Sequence, residues 1–127
     1  MTLSEVNSKY QYKSDKEKYG TSLDIWEIPE EIDGVIESDC ESYCRFLRNR
    51  VEMFKDWDYW YCKLDGVGHC VLIKNTDVID CNVREVVSLE QYCKVFNISG
   101  LRKYSMFEIV SKIIFSKGFL LWKKFSK

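Results

Sequence analysis

Apolar side chains recur at intervals of three and four residues in the segment that follows Ser38. They stand at six positions: Cys40, Tyr43, Cys44, Leu47, Val51 and Phe54. This spacing places them on one face of a helix, with the charged residues between them on the other face. Ser38 followed by Glu41 also has the composition of a capping box, which satisfies free amides of a first helical turn. The pattern therefore predicts an amphipathic helix capped by Ser38, with the thiol of Cys40 in its first turn.

The pattern after this helix changes to the alternation that is typical of β-strands. Three segments show it, at residues 59–64, 69–73 and 78–83. A glycine-containing turn separates the first two segments, and a polar break at residues 74–77 separates the second from the third. Because both connections are short, we expect an antiparallel meander of three strands that follows the helix.

Capping motifs predict further elements on either side of this unit. Pro29 suits the first position of a short helix. Ser88 and Ser105 each open a capping box, and the second of these two helices is expected to end near Gly118. Residues 119–122 fit either a closing strand or a helical end. The expected fold class is therefore α+β, with one helix packed on a small antiparallel sheet and additional helices near the C terminus.

The composition is typical of one globular domain. The chain has 127 residues, of which 46% are hydrophobic, and its polar residues 1–20 are expected to form an arm or a surface helix. The 19 basic and 20 acidic residues nearly cancel, which argues against charge-driven binding of nucleic acid or a membrane. Residues 1–127 contain no apolar run long enough for a spanning helix and no secretory signal, so we expect a cytoplasmic protein.

The six cysteines bear on the chemistry of the chain. Without an export signal they are expected to be reduced thiols, and zinc is not favoured because there is one histidine and no Cys-x-x-Cys pair. Cys40 differs from the others in its position. The amides of a helix N terminus favour an anion, so the pKa of this thiol is expected to lie below its free value of roughly 8.5. A small side chain in the core is the alternative interpretation of Cys40.

A base for this thiol is available only from His69, the single histidine, which opens the second predicted strand. Asp80, on the third strand, is the candidate partner for its imidazole. A loop with an even number of residues puts Asp80 on the same face as His69, either directly opposite or diagonal to it, whereas a three-residue loop puts it on the other face. Both residues also have structural interpretations, as a satisfied core histidine and as a polar residue near a turn.

Four short motifs, in this order, resemble the bacterial transglutaminase-like cysteine proteinase family. The family patterns are Trp-x-x-Pro-x-Glu, Gly-Asp-Cys-Glu-Asp-Tyr, His-x-Val-Leu and Leu-Asp-Asn, and they correspond to residues 26–31, 38–43, 68–72 and 79–82. The resemblance covers roughly residues 23–92. It implies a papain-like or transglutaminase-like core in which Cys40 is the nucleophile, His69 the base and Asp80 the group that orients the imidazole.

The resemblance also implies an activity and its alternatives. The expected function is that of a cysteine peptidase or amidase, which acts on a protein or peptide through a thioester on Cys40 and requires no cofactor. A transglutaminase or deamidase uses the same three residues. From a different class, a catalytically silent papain-like module remains open, as a phage structural protein or a protein that binds a host factor. Some family members bind calcium through the acids beside the cysteine, which correspond to Asp39 and Glu41.

Three departures from the family patterns concern the substrate and the calcium site. Ser38 replaces the glycine, Ser42 replaces the second acid after the cysteine, and Cys81 stands between Asp80 and the asparagine. The exported members of the family are longer and carry a signal peptide. A cytoplasmic protein, or a virion-associated one encoded by a phage, is therefore the expectation that fits this chain.

Overall fold

A central helix and a five-stranded antiparallel sheet organise the structure, a computed structural model that describes residues 1–21 and 23–125. The helices are α1 (Leu3–Lys9), α2 (Asp15–Tyr19), α3 (Cys40–Arg50), α4 (Leu89–Val95) and α5 (Met106–Phe125), with a 3-10 turn at Glu52–Phe54. The strands are β1 (Tyr10–Tyr12), β2 (Glu31–Ile32), β3 (Val35–Ser38), β4 (Asp58–Leu64), β5 (Val67–Lys74), β6 (Asp77–Ile79), β7 (Val87–Ser88) and β8 (Ile98–Lys103). The predicted α+β class is confirmed.

The large sheet has the strand order β7-β6-β5-β4-β8, and the predicted meander is its centre. Asp65 and Gly66 form the two-residue turn between β4 and β5, and both have positive φ, at 49° and 82°. Such turns match the right-handed twist of a hairpin. The next turn is also two residues long, because Lys74 pairs with Asp77. A separate three-stranded sheet has the order β1-β3-β2.

Strand β5 is buried along most of its length because both faces of the sheet are covered. Cys70 and Leu72 belong to the cluster that contains the apolar stripe of α3. Val71 and Ile73 point to the other face and pack with Tyr92 of α4. The strand therefore lacks the polar alternation of a half-exposed strand.

Helix α3 begins one residue later than the capping-box pattern predicts. Asp39 is the N-cap, and its carboxylate accepts the amide of Ser42 at 3.1 Å. The hydroxyl of Ser38 instead donates to the carbonyl of Asp39, so the prediction of Ser38 as the cap is wrong. Asp and Ser are equally good N-caps, and the pairing of Ser38 in β3 holds that residue outside the helix.

Two other expectations near this core are corrected. Pro29 opens no helix, and the two residues after Glu30 form β2 instead, paired with β3. The third strand of the meander ends at Ile79 rather than at residue 83. Its chain turns there because the carboxylate of Asp80 accepts the amides of Asn82 and Val83, which removes these residues from the sheet.

The two ends of the chain contribute more than the sequence pattern indicates. Residues 1–20 are not a loose arm but contain helices, which was the alternative expectation: α1 buries Val6, and β1 pairs in parallel with β3. Strand β8, which was not predicted, forms one edge of the large sheet. Helix α5 does not stop near Gly118 but continues to Phe125, so residues 119–122 are helical. The expected single domain of residues 1–127 also includes residues 22, 126 and 127, which lie outside the described part.

All six cysteines carry free thiols. No helix among residues 1–21 and 23–125 is both long enough and apolar enough to cross a membrane.

Replacement of Gly118 by alanine is expected to stabilise the protein. Gly118 is exposed in the middle of α5, and no atom lies within 4 Å of the place that a Cβ would take. Because glycine costs a helix interior about 0.8–1 kcal/mol relative to alanine, Gly118→Ala should raise the free energy of unfolding by about that amount. Urea unfolding measures it. Gly66→Ala is the control and should destabilise, since φ at Gly66 is 82°. An unchanged or lower stability of Gly118→Ala would indicate a helix that ends near this residue.

Candidate functional site

His69 and Asp80 form a buried pair at one end of the central strands. Strands β5 and β6 are in the register that places Val71 opposite Asp80, so Asp80 is diagonal to His69 on the same face. This is one of the two arrangements that an even-numbered loop allows. The Nε2 atom of His69 lies 2.7 Å from Oδ2 of Asp80, and both side chains are almost completely removed from solvent. The structure therefore brings together two of the three residues predicted for the site.

The carboxylate of Asp80 accepts four hydrogen bonds. Besides His69, the hydroxyl of Tyr92 donates to Oδ2 at 2.5 Å, and the amides of Asn82 and Val83 donate to Oδ1 at 3.0 and 2.8 Å. Burial by itself would raise the pKa of Asp80, but the bonds from His69, Tyr92 and Val83 outweigh it and lower the pKa below its ordinary value. Asp80 is thus an ionised acceptor, which assigns the Nε2 proton to His69 and leaves Nδ1 as the other ring nitrogen.

Tyr92 is a site residue that the sequence interpretation missed. It lies on α4, twelve residues after Asp80, and its ring is buried. Burial, together with the charge of Asp80, raises the pKa of Tyr92, so its hydroxyl keeps the proton that it donates. The capping box at Ser88 predicts the helix that carries Tyr92, but no local pattern indicates that this helix crosses the exit of β6.

Cys40 lies in the first turn of α3, as predicted, where it is the first residue, and is half-buried. One turn further along, the thiol of Cys44 donates to the carbonyl of Cys70 at 3.6 Å. Cys40 lines the same pocket as Gly68, the neighbour of His69, and therefore lies near the start of β5.

The resting environment of the Cys40 thiol differs from the one expected. Its hydrogen bond with the thiol of Cys81 and its burial raise the pKa of Cys40, and the negative charges of Glu41 and Asp80 act in the same direction. The expectation of a lowered pKa is therefore wrong for this state. The amides of the helix N terminus would lower the pKa of this thiol, but their effect is outweighed because the acids and the low-polarity surroundings favour the neutral thiol.

The thiol and the imidazole lie on different sides of β5. Cys70 faces α3, whereas His69, like Val71, belongs to the face that α4 covers. Within the described residues no hydrogen bond joins Cys40 to His69. Cys81, which contacts the thiol, directly follows Asp80 in the chain, so the two groups share one end of the sheet. The Cys40 thiol and the His69 imidazole therefore lie in the same region of the structure, but no hydrogen bond joins them.

Three carboxyl groups cluster beside Cys40. The ligand atoms of Asp15, Asp39 and Glu41 all lie within 4.8 Å of one another. Burial, and next to it the charge of Glu41, raises the pKa of Asp39 to about 7, while burial and the bond to Asp39 raise the pKa of Asp15 to about 8. Burial also raises the pKa of Glu41. Such a cluster is stable when it holds protons or a cation that neutralises it.

This cluster contains both predicted calcium ligands and one residue that the sequence interpretation left out. Asp15 comes from α2, in the segment that was expected to be an arm, and accepts the amide of Ile25 at 2.7 Å. Ser42, which stands where the family has an acid, donates to the carbonyl of Ile25 at 3.1 Å. The third acid of this site is thus supplied from a distant part of the chain rather than from position 42.

An open pocket of about 260 Å³ gives access to Cys40 from this side. Asp15, Asp39 and Glu41 line it, and so do Tyr12, Thr21, Leu23 and Asp24. A reactant that enters this pocket meets the thiol and the carboxyl cluster at the same time.

In comparisons with known proteins, no family model, curated protein or solved structure matches this chain. The resemblance to transglutaminase-like cysteine proteinases thus depends on the four short motifs alone. Functional conclusions come from the geometry of the site.

The stability of the protein is expected to fall as pH rises from about 4 to about 8. In the folded protein Asp39 and Asp15 hold protons up to about pH 7 and about pH 8, whereas the ordinary pKa of an aspartate in the unfolded chain is 3.8. The folded state therefore binds more protons in this range, and the free energy of unfolding decreases with increasing pH. Asp39→Asn and Asp15→Asn should each reduce this slope and be more stable than the wild type at pH 8. Urea unfolding in the presence of a chelator measures the effect.

The control for this experiment is Asp77→Asn, because Asp77 is exposed on β6 and far in sequence from the cluster. Its stability should follow the pH dependence of the wild type. Parallel pH profiles for all three variants and the wild type would contradict the raised pKa values of the cluster.

Proposed function

We propose that the protein is a cysteine-dependent hydrolase of the peptidase or amidase type, with Cys40 as nucleophile, His69 as base and Asp80 as the orienting acid. The observation that carries the proposal is the buried pair of His69 and Asp80. An imidazole with one ring nitrogen held by an ionised carboxylate has the arrangement of a catalytic base, because the carboxylate sets the tautomer and stabilises the imidazolium. Here the held nitrogen is Nε2, so Nδ1 is the nitrogen left to act as base. The half-buried thiol at the adjacent helix start supplies the nucleophile.

The proposed reaction starts from a neutral thiol. The sulfur of Cys40 leaves its hydrogen bond with Cys81 and gives its proton to Nδ1 of His69 as it attacks the acyl carbon of the substrate. The imidazolium then protonates the leaving amine, and a thioester remains on Cys40. Water attacks this thioester with His69 again as base, which releases the acid and restores the thiol. Catalytic hydrogen bonds often form only with bound substrate. Because the thiol and the imidazole lie on different sides of β5 in the resting structure, this reaction also requires the start of β5 to move so that Nδ1 of His69 reaches the pocket of Cys40.

One feature of the pocket leaves room for the approach of His69 to Cys40, and a second is suited to stabilise the intermediate. Gly68 precedes His69 and lines the pocket of Cys40, so residue 68 contributes no side chain to this pocket. The amides at the start of α3 point towards the pocket end of the helix and are suited to stabilise the oxyanion of a tetrahedral intermediate.

Tyr92 acts in this proposal as a positioning residue. Its hydroxyl shares Oδ2 of Asp80 with Nε2 of His69, so it fixes the carboxylate that orients the base without contact with the substrate. A hydrogen bond to a charged group contributes about 1.5–3 kcal/mol. Loss of the hydroxyl should therefore slow the acylation step by roughly tenfold, since about 1.4 kcal/mol corresponds to this factor.

The second class of function, a silent binding module, is favoured by one observation. The resting thiol lies next to the thiol of Cys81, no hydrogen bond joins it to His69 among the described residues, and its pKa is raised. A protein that has lost turnover would retain such an arrangement. Transfer to an amine, as in a transglutaminase, and deamidation both start from the same thioester, so the first test addresses the thioester.

Acylation of Cys40 by p-nitrophenyl acetate tests the proposal. We expect one acetyl group per chain, located on Cys40 by peptide mapping, with a burst of p-nitrophenol followed by slow turnover. Cys40→Ala should abolish the adduct. His69→Ala should lower the acetylation rate by roughly 10²–10⁴-fold, which is the usual contribution of a general base. Tyr92→Phe should lower it by roughly tenfold and leave the adduct on Cys40.

Cys93→Ala is the matched control, because Cys93 is the exposed thiol on α4. It should leave the acetylation of Cys40 unchanged. If acetylation distributes over several thiols, or if Cys40 reacts equally fast in His69→Ala, the hydrolase proposal fails and the silent binding module replaces it.

We also propose that calcium binds to Asp15, Asp39 and Glu41. Three clustered carboxylates supply part of the oxygen shell of a calcium ion, and backbone oxygens and water supply the rest. At pH 8 a few millimolar calcium should raise the midpoint of thermal unfolding by several degrees, because a ligand at roughly 100 times its Kd contributes about 2.7 kcal/mol. Asp15→Asn should remove this shift, whereas Asp77→Asn should retain it. An equal rise of the unfolding midpoint in both variants would show that calcium binds elsewhere. No rise in the wild type would show that protons rather than calcium neutralise the cluster.

A further inference from the structure

Helix α5 is oriented in an unusual way, with its apolar side towards solvent. At 100° per residue, the half-buried and buried positions all lie in one half of the helix: Glu108, Ile109, Lys112, Ile113, Ser116, Phe119, Leu120 and Lys123. The opposite half, here called the outward half, is exposed and consists mostly of large apolar side chains: Met106, Phe107, Val110, Ile114, Phe115, Leu121, Trp122 and Phe125. A surface helix of a globular protein normally has the reverse distribution.

Polar groups fasten the inner half of α5 to the domain. The hydroxyl of Ser116 accepts the amide of Trp26 at 2.7 Å, and the ammonium group of Lys112 lies 5.8 Å from the centre of the Trp26 ring. Lys123 donates to the carbonyl of Tyr19, and Glu108 pairs with Arg102. These contacts fix the rotation of the helix about its axis. The outward half is therefore not exposed by a loosely attached helix but is held outward by specific bonds.

The exposed apolar surface of α5 is expected to contact a binding partner. Phe107 is 81% exposed and Phe125 75%, and along the helix they form one continuous strip with Ile114 and Leu121. Continuous apolar surface of this kind marks a contact with another protein or with lipid. The strip is about 30 Å long, since α5 has 20 residues with a rise of about 1.5 Å each.

The charge of α5 distinguishes between a protein partner and a lipid surface. The helix carries four lysines and one glutamate, whereas the whole chain has a net charge of −1. Lys117 and Lys124 lie seven residues apart at one edge of the outward half, and this half contains no acidic residue. In a two-fold pair of antiparallel α5 helices the same edges meet, so these lysines would face lysines of the partner without an acid. Anionic phosphates at a lipid surface complement them instead.

We propose that the outward half of α5 binds the surface of an anionic lipid bilayer. The apolar strip lies parallel to the membrane plane among the upper acyl chains, Trp122 lies at the level of the head groups, and Lys117 and Lys124 contact phosphates. The rest of the domain stays in water above the helix. This binding needs no spanning segment, and it revises the expectation of no membrane partner, which came from the net charge of the whole chain rather than of this helix.

Co-sedimentation with vesicles tests the proposal on the full chain. Vesicles of phosphatidylcholine with roughly one-third phosphatidylglycerol should retain the protein, and phosphatidylcholine alone should retain at least tenfold less, since each lysine near an anionic surface contributes about 1 kcal/mol. Added salt should weaken the binding. The emission of Trp122 should shift to shorter wavelength with the anionic vesicles, and Trp122→Phe should remove most of this shift while binding persists.

Two double variants address the apolar and the basic contributions separately. Phe107→Ser with Ile114→Ser should lower the affinity by at least tenfold, because each apolar side chain that enters the bilayer contributes about 1.5–3 kcal/mol. Lys117→Glu with Lys124→Glu should remove the preference for anionic vesicles. All four side chains are exposed, so folding should be unchanged, as circular dichroism and thermal unfolding will verify. Val95→Ser, an equally exposed apolar position on α4, is the matched control and should bind like the wild type.

The opposite results are equally clear. Absence of vesicle binding, or equal binding to neutral and anionic vesicles, would overturn the proposal. A dimer in sedimentation equilibrium that Phe107→Ser with Ile114→Ser dissociates would also overturn it, in favour of a second copy of the chain as the cover. None of these outcomes depends on Cys40 or His69, so the result is independent of the proposed hydrolase.

Discussion

The buried carboxylate of Asp80 constrains much of the structure. An ionised carboxylate without solvent contact costs several kcal/mol unless hydrogen bonds compensate it. Here four donors from three places do so: His69 on β5, Tyr92 on α4 and two amides in the turn after β6. Strand β6 must therefore end before Asp80, and α4 must pack across the segment that follows it. Asp80 thus connects the register of the sheet, the position of α4 and the tautomer of His69.

A second polar centre with the opposite character lies at the start of α3. Hydrogen-bond donors around Asp80 stabilise its charged carboxylate. The carboxyl groups of Asp15, Asp39 and Glu41 instead lie close to one another, which favours binding of protons or of a cation. Cys40 lies between the two centres, next to the free thiol of Cys81. Cys81, burial and the neighbouring acids favour its neutral thiol, and the proposed contact with His69 is what would remove the proton.

Helix α5 shows how tertiary contacts override an amphipathic preference. Its amphipathic pattern by itself would favour the rotation that buries the more apolar half. The hydrogen bond of Ser116 and the cation–π contact of Lys112, both with Trp26, select the opposite rotation. The selected rotation leaves the most apolar half outside, which is stable in isolation only at a cost in exposed hydrocarbon and is explained if a bilayer covers it.

Local signals in the sequence were sufficient for the elements that form from near neighbours. The periodicity after Ser38 determined α3 and the turn residues determined the β4–β5 hairpin, because each depends on residues close together in the chain. For Asp80 the sequence left open the alternatives of an even and a three-residue loop, and only the structure showed the even loop that puts it on the face of His69. What only the tertiary structure decided depends on distant contacts: Asp15 in the acidic cluster, Tyr92 on Asp80, β8 at the sheet edge and the rotation of α5. It also placed the Cys40 thiol beside Cys81 rather than beside His69. No local pattern encodes these outcomes, since burial and packing across the fold set both the pKa of a thiol and the neighbour that it meets.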